Sequence, residues 1–215
     1  MAEIAGPVTQ AASAGHEAHP HRDIQGAKMG MWLFLLTELL LFAGLFLIYS
    51  VYRYFHTAAF HKAGLETHTL LGTVNTMVLL TSSLTMVLSI AAIQRGKKWL
   101  CVTFLSTTIL AGFVFLGIKY VEWTSEIAKG IYPGSPVLLA RSNGEILFFG
   151  LYYTMTGLHG IHVIAGMIVL AFMLVLVLRD KINQQDYIKL ENAGLYWHLV
   201  DIIWIFLFPL FYLIN

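Results

Sequence analysis

Five long apolar runs, separated by short polar segments, set the pattern of this 215-residue chain. Residues 29–52 hold one charge, 67–94 none, 99–118 none, 146–178 none and 192–215 one. About 20 consecutive apolar residues carry an α-helix across a bilayer. The runs are too long, and too uniformly apolar, for the period-two alternation of a membrane β-strand. The pattern predicts an all-α integral membrane protein, a bundle of five transmembrane helices over residues 29–215. The spans fall at about 29–53, 69–94, 99–123, 146–178 and 195–214. Span four reaches about 50 Å at 1.5 Å per residue, against a hydrocarbon core of about 30 Å, so it must tilt or project. Residues 1–28 lack the apolar core of a signal peptide and read as a disordered or extended segment.

Composition narrows the function classes. Thirteen basic and twelve acidic residues give a net charge of +1, and 58% of the chain is apolar. No polar stretch is long enough for a soluble enzyme domain, and no basic patch points to nucleic acid. The single cysteine, Cys101, excludes an internal disulfide and a thiolate cluster. Loop charge orients the bundle. Arg22, Lys28, Arg95, Lys97, Lys98, Arg179, Lys181 and Lys189 fall on one side, and Arg53, Lys62, Lys129 and Arg141 on the other. The positive-inside rule then predicts a cytoplasmic N-terminus and an external C-terminus. Trp32, Tyr52, Trp99, Trp123, Trp197 and Tyr212 fall near span ends and read as interfacial anchors. The segment 124–145, with Pro133, Gly134 and Pro136, reads as an external loop.

Ionisable groups inside spans are expensive in lipid, so each is a functional candidate. Glu38 lies nine residues into span one with no basic partner on its own helix. It is expected to be neutral or bonded across helices, as a proton or lipid-linked site or as a plain interface bond. His159 and His162, three apart on one face of span four, could join it in a buried carboxyl and polar cluster. Haem or copper ligation by these histidines, with His198, is the less favoured reading, as is metal binding by His16, His19 and His21. His198 and Asp201 are spaced to pair on span five. With Trp197 and Trp204 they form a candidate lipid or subunit contact. Lys119 and Glu122 share the same spacing at the external end of span three, where Lys119 could snorkel outward. Asn75, Ser82, Thr85 and Ser89 form a near-heptad stripe that reads as a packing seam.

These residues carry a resemblance. Tyr196-Trp197-His198-Leu199-Val200-Asp201-Ile202-Ile203-Trp204-Ile205-Phe206-Leu207-Phe208 resembles the Y-W-H-F-V-D-V-V-W-L-F-L-F signature of subunit III of haem–copper oxidases. Thr156 to Val163 is similar to that family's T-G-F-H-G-x-H-V segment, and Thr37 to Gly44 to its S-E-x-x-F-F-x-G segment. Asn75-Thr76, Ser82-Ser83 and Lys119 to Trp123 fit the intervening helices. The resemblance runs through all five spans in order.

It implies a non-catalytic subunit of a proton-pumping terminal oxidase in the bacterial inner (plasma) membrane. Such a subunit has no redox centre of its own; haem and copper lie in partner subunits. It packs on subunit I, with subunit II and a small subunit IV as further partners, encloses phospholipids, and supports proton uptake and turnover stability. The electron donor, cytochrome c or a quinol, is bound by other subunits. Glu38 matches the family's carbodiimide-reactive carboxyl, and His162 the histidine near it. Many relatives have seven spans; the two helices preceding span one are missing here, so a neighbouring chain is expected to cover that side. Alternatives are the equivalent subunit of a quinol oxidase or of a nitric-oxide-reductase-associated complex. From another class, a proton-coupled transporter would work alone in liposomes, whereas an oxidase subunit would not.

Overall fold

A computed structural model describes residues 24–213. The N-terminal histidines and most of the segment expected to be extended lie outside the described residues. The chain forms α1 (Ile24–Phe55), α2 (Thr57–Gly64), α3 (Thr69–Gln94), α4 (Lys98–Ala128), α5 (Pro136–Leu139), α6 (Asn143–Leu178) and α7 (Ile188–Phe208), followed by a π-helical turn, Pro209–Leu213. There are no strands among the described residues. α1, α3, α4, α6 and α7 with its π turn are each long and apolar enough to cross a membrane. In lipid a chain must satisfy its own N–H and C=O groups, and a helix does so within one segment.

The helices outrun the uncharged runs at most ends. Ile24–Lys28 already belong to α1, and α4 continues to Ala128, five residues past the predicted limit. α6 starts at Asn143 because Ser142 and Glu145 form a reciprocal capping box. α7 begins at Ile188, one turn and more before its apolar run. Charge marks where lipid ends, while caps and turns mark where helices end. The α3–α4 turn closes on Gly96, at φ +71°, whose N–H returns to Ile93. That left-handed position suits glycine.

Buried positions on the inner helices recur at alternating steps of three and four. On α4 they are Cys101, Leu105, Thr108, Gly112, Phe115, Lys119, Glu122 and Glu126. On α7 they include Leu190, Ala193, Trp197, Val200, Trp204 and Leu207. A mean repeat of 3.5 residues gives a left-handed bundle with knobs set into holes. Asn75, Ser82 and Ser89, one heptad apart, are buried at the seam of α3. α3, α4, α6 and α7 pack in a ring, each against the next. α1 lies on the flank of that ring against α6 and α7. Among its described apolar residues it buries Leu35, Phe42 and Tyr49, one per two turns.

Trp197 is the central knob. A Cβ added to Gly112 would lie 3.1 Å from its ring, and one added to Gly166 only 2.9 Å. Glycines on α4 and α6 thus form the slot that the indole fills. Gly160, by contrast, has nothing within 4 Å of an added Cβ. Gly166→Ala is expected to destabilise by about 1–3 kcal/mol through overpacking. Gly160→Ala should leave stability unchanged or slightly raised. Thermal denaturation of the purified protein in detergent checks the contrast.

Candidate functional site

Three polar clips hold α1 to the ring, at three depths along the helix. At its start Lys28 pairs with Glu191 at 3.3 Å. Toward its far end the Tyr49 hydroxyl donates to the carbonyl of Leu210 at 2.5 Å. Between them Glu38 Oε2 lies 2.8 Å from His162 Nε2, and both side chains keep a minor share of exposed surface.

The histidine's other nitrogen defines what this pair can hold. His162 Nδ1 lies 2.7 Å from the carbonyl of Leu158, which can only accept, so Nδ1 carries a proton. A neutral imidazole then has a bare Nε2, and the proton of the 2.8 Å contact comes from Glu38. If the proton moves across, an imidazolium faces a carboxylate. In either form the pair holds one shared proton and has no net charge. Phe42 packs edge-on against the imidazole, and Tyr196 donates to the His162 carbonyl at 3.3 Å.

His159 is not part of this contact. It is fully buried between Phe115 and Trp204, and neither ring nitrogen has a hydrogen-bond partner among the described residues. The predicted cluster of three is therefore a pair plus a separate core histidine. The reason is the 60° offset between residues three apart: one ring turns to α1, the other into the ring of four helices.

Lys119 and Glu122 do pair, at 2.9 Å, but Lys119 does not snorkel. Both lie on the inner seam of α4 and are buried, so the pair belongs to the core. The Lys119 ammonium donates to Glu122 Oε2, to the Tyr212 hydroxyl at 2.6 Å and to the Tyr152 hydroxyl at 3.4 Å. Glu122 Oε1 accepts from Tyr212 at 2.5 Å and from Tyr152 at 2.7 Å. The ammonium also sits 5.0 Å from the centre of the Trp204 ring, a cation–π distance. Tyr212 reaches the cluster from the terminal π turn, which begins at Pro209, a residue with no N–H to return to the helix. It is a core residue, not an interfacial anchor. Nothing in the sequence spacing points to Tyr152 and Tyr212 as partners of the ion pair. The seam spacing of Lys119 and Glu122 on α4 was the available sign that the pair faced inward.

On α7 the predicted His198–Asp201 pair does not form. His198 Nδ1 is bonded to Ser83 of α3 at 2.6 Å, and the same Ser83 is the hydroxyl beside Asp201. Trp197 and Trp204 are fully buried and donate to Ser82 at 3.0 Å and Thr76 at 3.1 Å. These indoles are internal ties between α7 and α3, not outward contacts. The polar stripe of α3 is thus used by α7 and α4, the latter through Thr85 and Thr108 at 2.8 Å. Trp32 and Trp99, in contrast, are largely exposed near helix ends.

At the end of the bundle bearing α2 and α5, Arg141 bridges both oxygens of Glu66 at 2.8 and 3.0 Å. Lys62 reaches Glu145 at 3.0 Å, and Lys129 reaches Glu126 at 2.9 Å. The Lys62 bond ties α2 to α6, the Arg141 bond joins the segments that precede α3 and α6, and the Lys129 bond is local to the end of α4. No group of three or more His, Cys, Asp or Glu is gathered to hold a metal among the described residues.

Fold and polar contacts together define a multi-pass, all-α membrane protein whose ionisable groups are mostly tied off inside or between its own helices. The sequence model of the family Cytochrome c oxidase subunit III matches residues 8–215, and the chain belongs to that family. It is 32% identical over 213 residues to cytochrome c oxidase subunit 3 of Thermostichus vulcanus, covering 95% of this chain and 94% of that one. It is 30% identical over 211 residues to cytochrome bo(3) ubiquinol oxidase subunit 3 of Pseudomonas aeruginosa, covering 97% and 95%. A haem–copper oxidase subunit I+III of Aeropyrum pernix is 28% identical over 193 residues, 87% of this chain and 22% of that protein.

Proposed function

We propose that this chain is the non-catalytic third subunit of a proton-pumping terminal oxidase in a bacterial plasma membrane, N-terminus inward. Haem, copper and the donor site belong to its partner subunits. The observation that carries this reading is the flank of α1. The helix is held by three clips and a narrow seam, leaving Trp32, Leu33, Leu36, Leu40 and Leu47 broadly exposed. Glu38 sits on that flank with a shared proton, close to whatever covers it.

Subunit I is the expected cover, and the relative whose name joins subunits I and III supports it. Lipid fits the grooves on either side of α1. One, of about 440 Å³, is lined by Met31, Phe34, Val169 and Met173, with Lys189 and Asn192 also on its wall. The other, of about 290 Å³, runs along Trp32, Leu35, Leu39, Leu199 and Ile202. Acyl chains would lie against the apolar walls, with a headgroup near Lys189. In this reading the subunit holds lipid and partner in place, supporting proton uptake and preserving the catalytic subunit through repeated turnover. The similar proteins include both cytochrome c and ubiquinol oxidase subunits, so the donor follows from the partners.

An oxidase depleted of this chain is expected to keep its haem spectrum and initial oxygen consumption. It should then lose activity within fewer turnovers than the intact complex. Loss of haem on depletion, or an unchanged lifetime, would contradict the reading.

A further inference from the structure

Two polar residues of α7, one turn apart, meet a single hydroxyl of α3. Ser83 Oγ lies 2.6 Å from His198 Nδ1, and the same hydroxyl hydrogen-bonds to the Asp201 carboxyl. Asp201 is 3% exposed, on the buried seam of α7, whereas His198 is half-buried. The His198 ring lines a groove of about 230 Å³ between α3 and α7, walled by Val87, Ile90 and Leu195. The groove ends at Gln94, the last residue of α3, and Glu191, in the first turn of α7. At 1.5 Å per residue, Glu191 lies about 10 Å along α7 from His198. Lys28 of α1 reaches Glu191 at 3.3 Å, so the charges at this mouth are paired with each other. Carboxyl, hydroxyl, imidazole and groove thus form an unbroken series from the core of the bundle to its end.

Each member of the series can pass a proton on. A hydroxyl both donates and accepts, and a neutral imidazole donates at one nitrogen and accepts at the other. With Asp201 protonated, its O–H bonds to Ser83, the Ser83 O–H bonds to His198 Nδ1, and Nε2 carries the ring hydrogen. A shift along the series breaks the O–H bonds of Asp201 and Ser83 and forms a new O–H on Ser83 and an N–H at Nδ1. Nε2 then gives its hydrogen to a water in the groove, whose volume of about 230 Å³ has room for several. The net change is one proton moved from Asp201 to water, with His198 in its other tautomer and Ser83 donating to a carboxylate. The reverse order returns the proton. We propose that Asp201 is a proton-exchanging site of this subunit, reached through the α3–α7 groove, His198 and Ser83. It is separate from the Glu38–His162 pair, which joins α1 to α6, and it does not rest on the oxidase reading.

Infrared spectroscopy of the intact complex in its membrane tests this. A carboxylic acid has a C=O stretching band that shifts down when its O–H becomes O–D. The band that Asp201→Asn removes belongs to Asp201, and any band of Glu38 remains beside it as a reference. On a change from light to heavy water, the Asp201 band is expected to shift well before the backbone amides of the bundle exchange. Ser83→Ala and His198→Leu should each slow that shift by an order of magnitude or more, since exchange then needs the helices to part. Ser83→Thr, which keeps the hydroxyl, should hold the wild-type rate. A variant that merely loosened the fold would exchange faster, so slowing marks the loss of a link. An Asp201 band that shifts only with the amides, or that keeps the wild-type rate in either Ser83→Ala or His198→Leu, would overturn the proposal. So would the absence of an Asp201 band at every pH measured. Should His198→Leu fail to assemble, Ser83→Ala against Ser83→Thr decides alone.

Discussion

Lys119→Met is expected to destabilise the bundle by about 3–5 kcal/mol, the cost of leaving one partner of a buried ion pair uncompensated. The carboxylate of Glu122 would keep its two tyrosine donors at 2.5 and 2.7 Å but lose the Lys119 ammonium. Glu122→Leu should cost a similar amount, because the ammonium then has only hydroxyls and ring faces around it. The double variant, Lys119→Met with Glu122→Leu, should recover most of the loss. Apolar residues of similar volume commonly replace a buried pair without penalty. The measurement is a double-mutant cycle on thermal stability and on the yield of assembled complex. Additive losses in the double variant would mean that the two residues act separately. The cluster ties α4, α6 and the terminal turn together, so the single variants should also loosen Tyr212 and the C-terminal end.

Glu38 should react with a hydrophobic carbodiimide. That reagent adds the O–H of a carboxylic acid across its C=N bond, so it needs a protonated carboxyl that lipid-soluble molecules can reach. The contact geometry keeps one proton within reach of the carboxyl, since the Leu158 carbonyl takes the Nδ1–H of His162 and the second proton is shared between Nε2 and Glu38. The position on α1 supplies access. Glu38→Gln should abolish the labelled peptide, and His162→Leu should leave it, because an unpaired acid in lipid stays neutral. Peptide mass spectrometry reads the adduct directly. Unchanged labelling in Glu38→Gln would sink the assignment.

Much of the fold was legible in the sequence because lipid imposes one simple constraint: long stretches without charge. That constraint located five helices and, through the absence of a basic partner on its own helix, singled out Glu38. It could not locate helix ends, which depend on the Ser142–Glu145 box and on Gly96 more than on hydropathy. Nor could spacing alone say which face of a uniformly apolar helix turns inward. Lys119 and Glu122 look the same in sequence whether they face headgroups or a core, and only Tyr152 and Tyr212, from elsewhere in the chain, decide it. His198 and Asp201 show the same difficulty from the other side. Their spacing permits a pair within α7, but His198 is bonded instead to Ser83 on α3 at 2.6 Å. Trp197 reads in sequence as an interfacial anchor and Trp204 as part of an outward contact, yet the glycine slot and the α3 hydroxyls draw them inside.

The account rests on this chain being one part of a haem-bearing assembly. Extraction in mild detergent, followed by affinity purification on a tag fused to this chain and mass spectrometry of the intact complex, tests that directly. The predicted result is recovery with a haem- and copper-containing subunit, retained phospholipid, and oxygen-consuming activity. Recovery of the chain alone, or only with itself, with no haem absorbance from membranes that hold an active oxidase, would contradict it.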